Sequence, residues 1–170
     1  MANVNLGITI RSSNKYLRID QFNKGISKGE RLIDKSYDER ILRRNDYEIA
    51  MLIKKEIEKN IRQAKRYDGR GGLRPLAKST IMRKGNSRIL IDTGQLLKGI
   101  EVGKAGSSHV VKVSDKLHKR KGKGKQQRIS IAEIAGYLQG GTDRMPARPF
   151  FGISKKKLNE IIKKVFKLKK

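Results

Sequence analysis

Isoleucine recurs at every fourth position between residues 49 and 61, and this spacing constrains the fold of the chain more than any other feature. A period close to that of a helical turn predicts an α-helix with one apolar face, made of Ile49, Ile53, Ile57, Ile61 and Ala64. Most positions between them hold Lys, Arg or Glu and therefore form a solvated face. Such a helix can bury its stripe only against a sheet or a second helix.

Capping residues give this helix two possible starting points. Ser36 is followed three residues later by Glu39, and Asn45 is followed at the same distance by Glu48. Both pairs fit a capping box, and the sequence leaves both starts open. We expect the helix to end by Gly69, because glycine interrupts a helix.

Alternation of apolar and polar residues predicts short strands elsewhere. One strand is expected over residues 4–10, and the alternating runs 100–102 and 109–113 predict a β-hairpin. Ser154 caps a final helix with the apolar residues Leu158, Ile161, Ile162, Val165 and Phe166. We therefore expect an α+β fold: a small antiparallel sheet with the long amphipathic helix and the C-terminal helix packed on it. The domain is single, residues 1–170, with its core at about 36–168.

Cap and stop signals predict three shorter helical segments. One lies around residues 79–83 and ends at the next glycine, and Asp92-Thr93-Gly94 leads into another helical turn. Ser130 and Glu133 form a capping box for a third helix, which the paired glycines at 140–141 should end.

Basic residues outnumber acidic ones by 42 to 16, which gives a formal net charge of +26. Most of this charge lies in residues 61–170, where 29 basic and 7 acidic side chains occur. Residues 116–128 have seven Lys or Arg, no acid and two glycines, so we expect a mobile loop there. The positive electrostatic field of this charge favours binding to nucleic acid or to an acidic protein surface. The candidate residues that face DNA or an acidic partner are Lys119, Arg120, Lys121, Lys123, Lys125 and Arg128.

Cysteine is absent, and the longest run of Val, Ile, Leu, Met or Phe is three residues. Disulfides, Cys-ligated zinc and a thiol nucleophile are therefore excluded, and no stretch approaches the ~20 apolar residues of a membrane span. The first ten residues lack the pattern of a secretory signal, so we expect assembly in the cytoplasm.

Groups that could perform catalysis are few. We expect His109 to be a satisfied residue of a predicted strand and His118, inside the basic loop, to be a solvated residue. Asp92 is explained by a turn or cap. No two acids after residue 61 are spaced as an obvious magnesium-binding pair. We expect no enzyme activity, no cofactor and no metal site.

Four blocks of residues follow one another between residues 76 and 152. They are Leu76 with Ser79-Thr80 and Lys84; Ile91-Asp92-Thr93-Gly94-Gln95-Leu96 with Ile100; Ile134-Ala135 with Gly140-Gly141; and Met145-Pro146-Ala147-Arg148-Pro149-Phe150-Phe151-Gly152. In order and distance the blocks resemble the virion-morphogenesis, or tail-completion, family of tailed bacteriophages, and the last block is the most specific. The resemblance covers roughly residues 70–155. Residues 1–35 and 116–128 have no counterpart in it, and Tyr137-Leu138-Gln139 stands where the family usually has an aromatic residue or histidine before the glycine.

This resemblance implies a non-enzymatic α+β subunit that assembles as a ring in the neck of the virion. The ring would join the head connector to the tail around the DNA path, with six subunits by analogy with tail symmetry. Its partners would be further copies of the chain, the neighbouring connector and tail proteins, and packaged DNA through contacts without sequence specificity. Completion proteins, tail terminators and related joining proteins share similar folds, so the resemblance does not say which ring is formed.

The last block is a candidate assembly interface. Its prolines stiffen the backbone, and Arg148 could pair bidentately across a subunit boundary. We expect Phe150 in the core and the interface residues to be Pro146, Arg148, Pro149 and Phe151. The alternative is a basic nucleic-acid-binding module without sequence specificity, because the basic run has no aromatic residue on which a base could stack. Self-association would separate the two hypotheses.

Overall fold

The computed structural model describes residues 45–105, 108–118 and 129–167. Within these ranges the chain forms α1 (Asp46–Arg62), α2 (Lys78–Lys84), α3 (Gln95–Lys98), β1 (Ile100–Ala105), β2 (Ser108–Val113), α4 (Ile131–Gly140) and α5 (Lys155–Lys167). The predicted α+β class, with a small antiparallel sheet, is confirmed. The strand expected at residues 4–10, the helix start at Ser36 and the six basic residues of segment 119–128 lie outside the described residues.

The isoleucine stripe of α1 lies in the centre of the core. Its four isoleucines are all buried, and Asn45 is the N-cap residue, although its side chain makes no capping hydrogen bond. Asp46 and Glu48 in the first turn and Lys59 and Arg62 in the last turn have the charges that the helix dipole favours. The prediction that Ala64 extends the stripe was wrong: the helix ends at Arg62, and Ala64 has a φ of 51°, which turns the chain.

The predicted hairpin forms the sheet, and α1 packs on both of its strands. Its register places Ile100 opposite Val113 and Val102 opposite Val111. Ile100 and Val111 face the core and are almost fully buried. The C-terminal helix α5 packs against α1, so α1 joins the sheet to the last helix. Leu158, Ile161, Ile162 and Val165 fill this contact, as their spacing predicted.

The three shorter helices form where the sequence predicts them, and of these three α4 is the one with a side-chain N-cap. The α4 capping box is complete: the backbone N–H of Glu133 donates to Ser130 Oγ at 3.1 Å, and that of Ser130 donates to Glu133 Oε2 at 2.7 Å. Gly85 ends α2 with a φ of 71°, and Gly141 ends α4 with a φ of 76°. No residue of α2 is buried, so this helix lies on the surface.

The chain after α4 folds back over that helix as an extended segment. The backbone N–H of Arg148 donates to Leu138 O at 2.7 Å, and Gln139 Oε1 accepts from the backbone N–H groups of Phe150 and Phe151, both at 3.0 Å. Phe150 is 0% exposed, which confirms its expected place in the core. No helix among residues 45–105, 108–118 and 129–167 is long and apolar enough to cross a membrane.

Candidate functional site: a basic cleft

A cleft of about 610 Å³ lies on the described surface, with walls from α2, α3, α4 and the residues that follow α4. We call it the basic cleft. Its apolar lining comes mainly from Leu76, Leu90, Leu96, Ile131, Ile134 and Leu138. Its charged lining is Arg83, Lys84, Asp92, Arg144 and Arg148, with His118 beside them.

Turn geometry positions the wall that α3 contributes. Gly94 precedes α3 with a φ of 77°, and the Gln95 side-chain amide donates to Thr93 Oγ1 at 2.7 Å. Leu90 also has a positive φ, 63°, which is unusual for a bulky side chain and costs about 1–2 kcal/mol. The chain therefore holds a strained residue at the floor of the cleft, where Leu90 and Leu96 are buried.

Arg148 joins two distant parts of the cleft wall. Its side chain is only 4% exposed. Its Nε donates to Arg74 O at 3.1 Å, its Nη2 to Pro75 O at 3.0 Å and its Nη1 to Pro146 O at 3.4 Å. Burial lowers the pKa of the guanidinium, and no carboxylate in the described ranges lies within ion-pair distance of it. Carbonyl oxygens, rather than an acid, satisfy this buried cation.

Lys84 lies in a positive environment. Its Nζ donates to Arg88 O at 2.7 Å. Burial lowers the pKa of the Lys84 ammonium; Asp92 opposes this effect, and the charges of Arg83, Arg88 and Arg148 add to it. A negative group bound near Lys84 would therefore offset both its desolvation and the repulsion between these cations.

The basic segment 119–128 leaves and re-enters the described structure beside the cleft. The backbone N–H of His118 donates to Ile129 O, and that of Ile131 donates to Lys116 O, both at 2.9 Å. Leu117 and Ser130 form an antiparallel bridge between these bonds. Because His118 and Ile131 both line the cleft, the residues that flank segment 119–128 are fixed at its wall.

The four residues predicted for assembly do not form one exposed edge. Pro146 is exposed and lines the cleft, whereas Pro149 is half-buried and its carbonyl accepts from Tyr67 N at 3.2 Å. Arg148 and Phe151 are buried within the fold of the single chain. We therefore correct the expectation that the Arg148 guanidinium is presented to a neighbour, because carbonyls of its own chain accept its hydrogen bonds.

The two histidines have different surroundings. His109 Nδ1 lies 2.9 Å from Asp46 Oδ1, and its backbone N–H donates to Asp46 Oδ2 at 2.8 Å, so it is a satisfied strand residue as expected. His118 is half-buried at the cleft instead of being a solvated loop residue. Among the described residues, no group of three or more His, Asp or Glu is arranged to hold a metal ion.

Residues from all four sequence blocks line this one cleft, although the blocks are far apart in the chain. They include Thr80 and Lys84, Asp92 to Leu96, Ile134, and Met145 with Pro146 and Arg148. Arg83 and Arg144 were not predicted as site residues from the sequence. Their positions in the sequence were the available signal: Arg83 precedes Lys84 of the first block, and Arg144 precedes Met145 of the last block.

No protein-family model, curated protein or solved structure matches the chain.

Proposed function

We propose that this chain is a non-enzymatic structural protein of the bacteriophage neck, which forms a ring that joins the head connector to the tail around the DNA path. The ring contains six copies, and it contacts the neighbouring connector and tail proteins. It is assembled in the host cytoplasm and is retained in the virion. The support comes from the ordered sequence blocks, the charge of the chain and the geometry of the basic cleft.

The observation that carries this proposal is the convergence of the four blocks. Residues from Leu76 to Arg148 span most of the described chain, yet residues of every block line the same cleft. Arg148 of the last block also bonds to the carbonyls of Arg74 and Pro75, just before the first block. The blocks are thus one spatial unit, as expected if their resemblance to the tail-completion family reflects a shared architecture.

The charge of the chain supports a position around DNA. Segment 61–170 has 22 more basic than acidic residues, and a ring of such subunits would surround its lumen with positive charge. Packaged DNA passing through the ring would be attracted through its phosphates, whatever its base sequence.

Self-association tests the proposal most directly. Native mass spectrometry and negative-stain electron microscopy of the purified chain should show a closed ring, with six copies as the expected number. In a phage whose copy of this gene is inactivated, filled heads and separate tails should accumulate. A chain that stays monomeric at all concentrations, together with normal joining of heads to tails in the mutant, would contradict the proposal.

A second candidate function, a nucleic-acid-binding module without sequence specificity, is favoured by the anchored basic segment. Replacing Lys119, Arg120, Lys121, Lys123, Lys125 and Arg128 by Ser or Gln should weaken DNA binding and reduce its salt dependence, by about 0.9 in slope for each phosphate that is no longer neutralised. Fluorescence anisotropy of a labelled duplex at several salt concentrations measures both quantities.

The matched control for this experiment removes the same number of charges from exposed helix positions. Its six substituted residues are Lys55, Lys59, Arg62, Lys155, Lys156 and Lys163. If the control loses as much affinity and slope as the loop variant, DNA responds to total charge and the segment does not bind it specifically. A monomer that binds DNA through the segment would favour this second function over the ring.

A further inference from the structure

The proposed function assigns no occupant to the basic cleft. The cleft has the size of typical ligand pockets, about 300–1,000 Å³, and its floor is apolar. Three cationic side chains at its wall are not buried: Arg83 and Arg144 are exposed, and Lys84 is half-buried. An occupant that fits these walls needs apolar groups for the floor and negative groups for the rim.

The charges of the lining residues indicate that the occupant is negatively charged. Arg83, Lys84, Arg144 and Arg148 line the cleft with Asp92 as the one carboxylate among its described lining residues. The mutual repulsion that Lys84 experiences is relieved by a bound anion and increased by a bound cation.

The chemistry of the walls disfavours DNA in the cleft. No Phe, Tyr or Trp is among the described lining residues, so a base has no aromatic platform on which to stack. Apolar side chains such as Ile134 and Leu138 would face the phosphates without compensation. Segment 119–128, which has six Lys or Arg and no apolar side chain, is the better contact for a phosphate backbone.

A second copy of this chain is also a poor occupant. Acidic residues are scarce in the chain, 16 against 42 Lys or Arg, so a second copy offers few carboxylates that could pair with the cations of the rim. The complementary occupant is a different protein with an acidic segment.

The wall of the cleft formed by α2 is largely accessible to solvent. Helix α2 supplies Thr80, Arg83 and Lys84 to the cleft but has no buried residue of its own. An occupant that packs against α2 would cover apolar atoms that the subunit leaves accessible, which favours binding.

We propose that the basic cleft binds an acidic segment of a partner protein, with apolar side chains on the floor formed by Leu90, Leu96 and Ile134 and carboxylates paired with Arg83, Lys84 and Arg144. The inference deepens the proposed function by giving the chemistry of a partner, and it rests on that function only in taking the partner to be a virion protein.

Selection from a random dodecapeptide library displayed on an unrelated phage, with the immobilised full chain as target, tests this inference. The selected peptides should be enriched in Asp and Glu together with Leu, Ile, Phe or Met. Fluorescein-labelled copies of the best binders should lose about tenfold in affinity for the double variant Arg83→Glu/Arg144→Glu, because two exposed ion pairs are replaced by repulsion. Both substituted residues are exposed, so the variant should unfold at the same denaturant concentration as the parent.

The matched control is Lys55→Glu/Lys163→Glu, which changes the net charge equally at exposed positions of α1 and α5. Peptides that bind this control as weakly as the cleft variant respond to total charge, and the inference fails. It also fails if selection yields no binders or binders without acidic residues, or if replacing the apolar residues of a binder by Ser leaves its affinity unchanged. Dissociation of an oligomer by the cleft variant would identify a second copy as the occupant, and a selective loss of DNA affinity would identify nucleic acid. Peptide binding by a chain that forms no ring would support the cleft and contradict only the proposed function.

Discussion

At the scale of single residues, Arg148 contributes to folding through three backbone carbonyls that it joins. Arg148→Ala should lower the free energy of unfolding by about 2 kcal/mol, because it removes charge-assisted hydrogen bonds and leaves the carbonyls of Arg74 and Pro75 without this donor. Arg148→Lys should recover part of the loss, since an ammonium cannot reproduce the planar fork. Urea unfolding measures these differences.

The control Arg74→Ala changes an exposed side chain but keeps the carbonyl, so it should cost under about 0.5 kcal/mol. Equal stability of Arg148→Ala and the parent would show that the three bonds do not hold the wall.

Asp46 connects the first turn of α1 to β2 through its two hydrogen bonds with His109. Burial opposes ionisation of this carboxyl, but the hydrogen bonds from His109 outweigh burial and lower the pKa of Asp46. A lowered pKa means that the stabilisation is complete above the ordinary aspartate value of about 3.9 and is lost as the pH falls through the folded-state value.

Asp46→Asn should therefore destabilise the chain by about 1–2 kcal/mol at pH 7, and its difference from the parent should shrink below about pH 4. Urea unfolding at pH 7, 5 and 3 follows this change. Asp143→Asn, which alters an exposed carboxylate, serves as the control. A difference between Asp46→Asn and the parent that stays constant across this range would rule out the ionised carboxylate as its source.

At the scale of elements, the glycines that end two helices share a positive φ but differ in ψ and in their surroundings. Gly85 after α2 has a φ of 71° and a ψ of 13°, the left-handed helical conformation, whereas Gly141 after α4 has a φ of 76° and a ψ of 178°. A Cβ at Gly85 would meet nothing within 4 Å, whereas one at Gly141 would lie 2.7 Å from Ala147 N and 2.9 Å from Met145 O. Gly85→Ala should cost about 1 kcal/mol from backbone strain alone. Gly141→Ala should cost about 3 kcal/mol, because its backbone lies in a region essentially restricted to glycine and because neighbouring backbone atoms must also move. Thermal unfolding of the two variants compares them directly, and equal costs would contradict both the greater strain and the clash at Gly141.

Elements with local signals could be predicted from the sequence, and elements set by distant contacts could not. The Ser130–Glu133 capping box, the glycine stops and the isoleucine stripe are each encoded within a few residues, and all are observed. The end of α1 was predicted too late, because Lys and Arg continue a helix-compatible pattern after Arg62 while a tertiary turn, with Leu73 N donating to Ala64 O at 2.7 Å, reverses the chain. The burial of Arg148 likewise depends on carbonyls more than 70 residues away in the chain. No local pattern specifies such a contact.

At the scale of the whole molecule, one hydrophobic core supports both the packed elements and the basic cleft. The core extends from α1, the hairpin and α5 to Leu90, Leu96 and Ile131, and these three residues also line the cleft. The blocks that line the cleft are recognisable in the sequence, but nothing in the sequence indicates that they meet, because spacing along a chain does not determine which turns come together. It is the hydrogen bonds of Arg148 and Gln139 that bring the last block against α4 and the residues before α2.

The bridge between Leu117 and Ser130 holds these two residues together, so the fold does not depend on the length of the segment between them. Both ends are fixed by backbone bonds, and the entropy of closing a loop rises only slowly with its length, by about 0.6 kcal/mol for each doubling. Insertions and deletions between these two ends would leave the backbone bonds that fix them unchanged, while altering the number of Lys and Arg residues in the chain. Chains with the same fold could thus differ in the number of positive charges between these two residues. A reporter peptide inserted at this position should leave the fold unchanged.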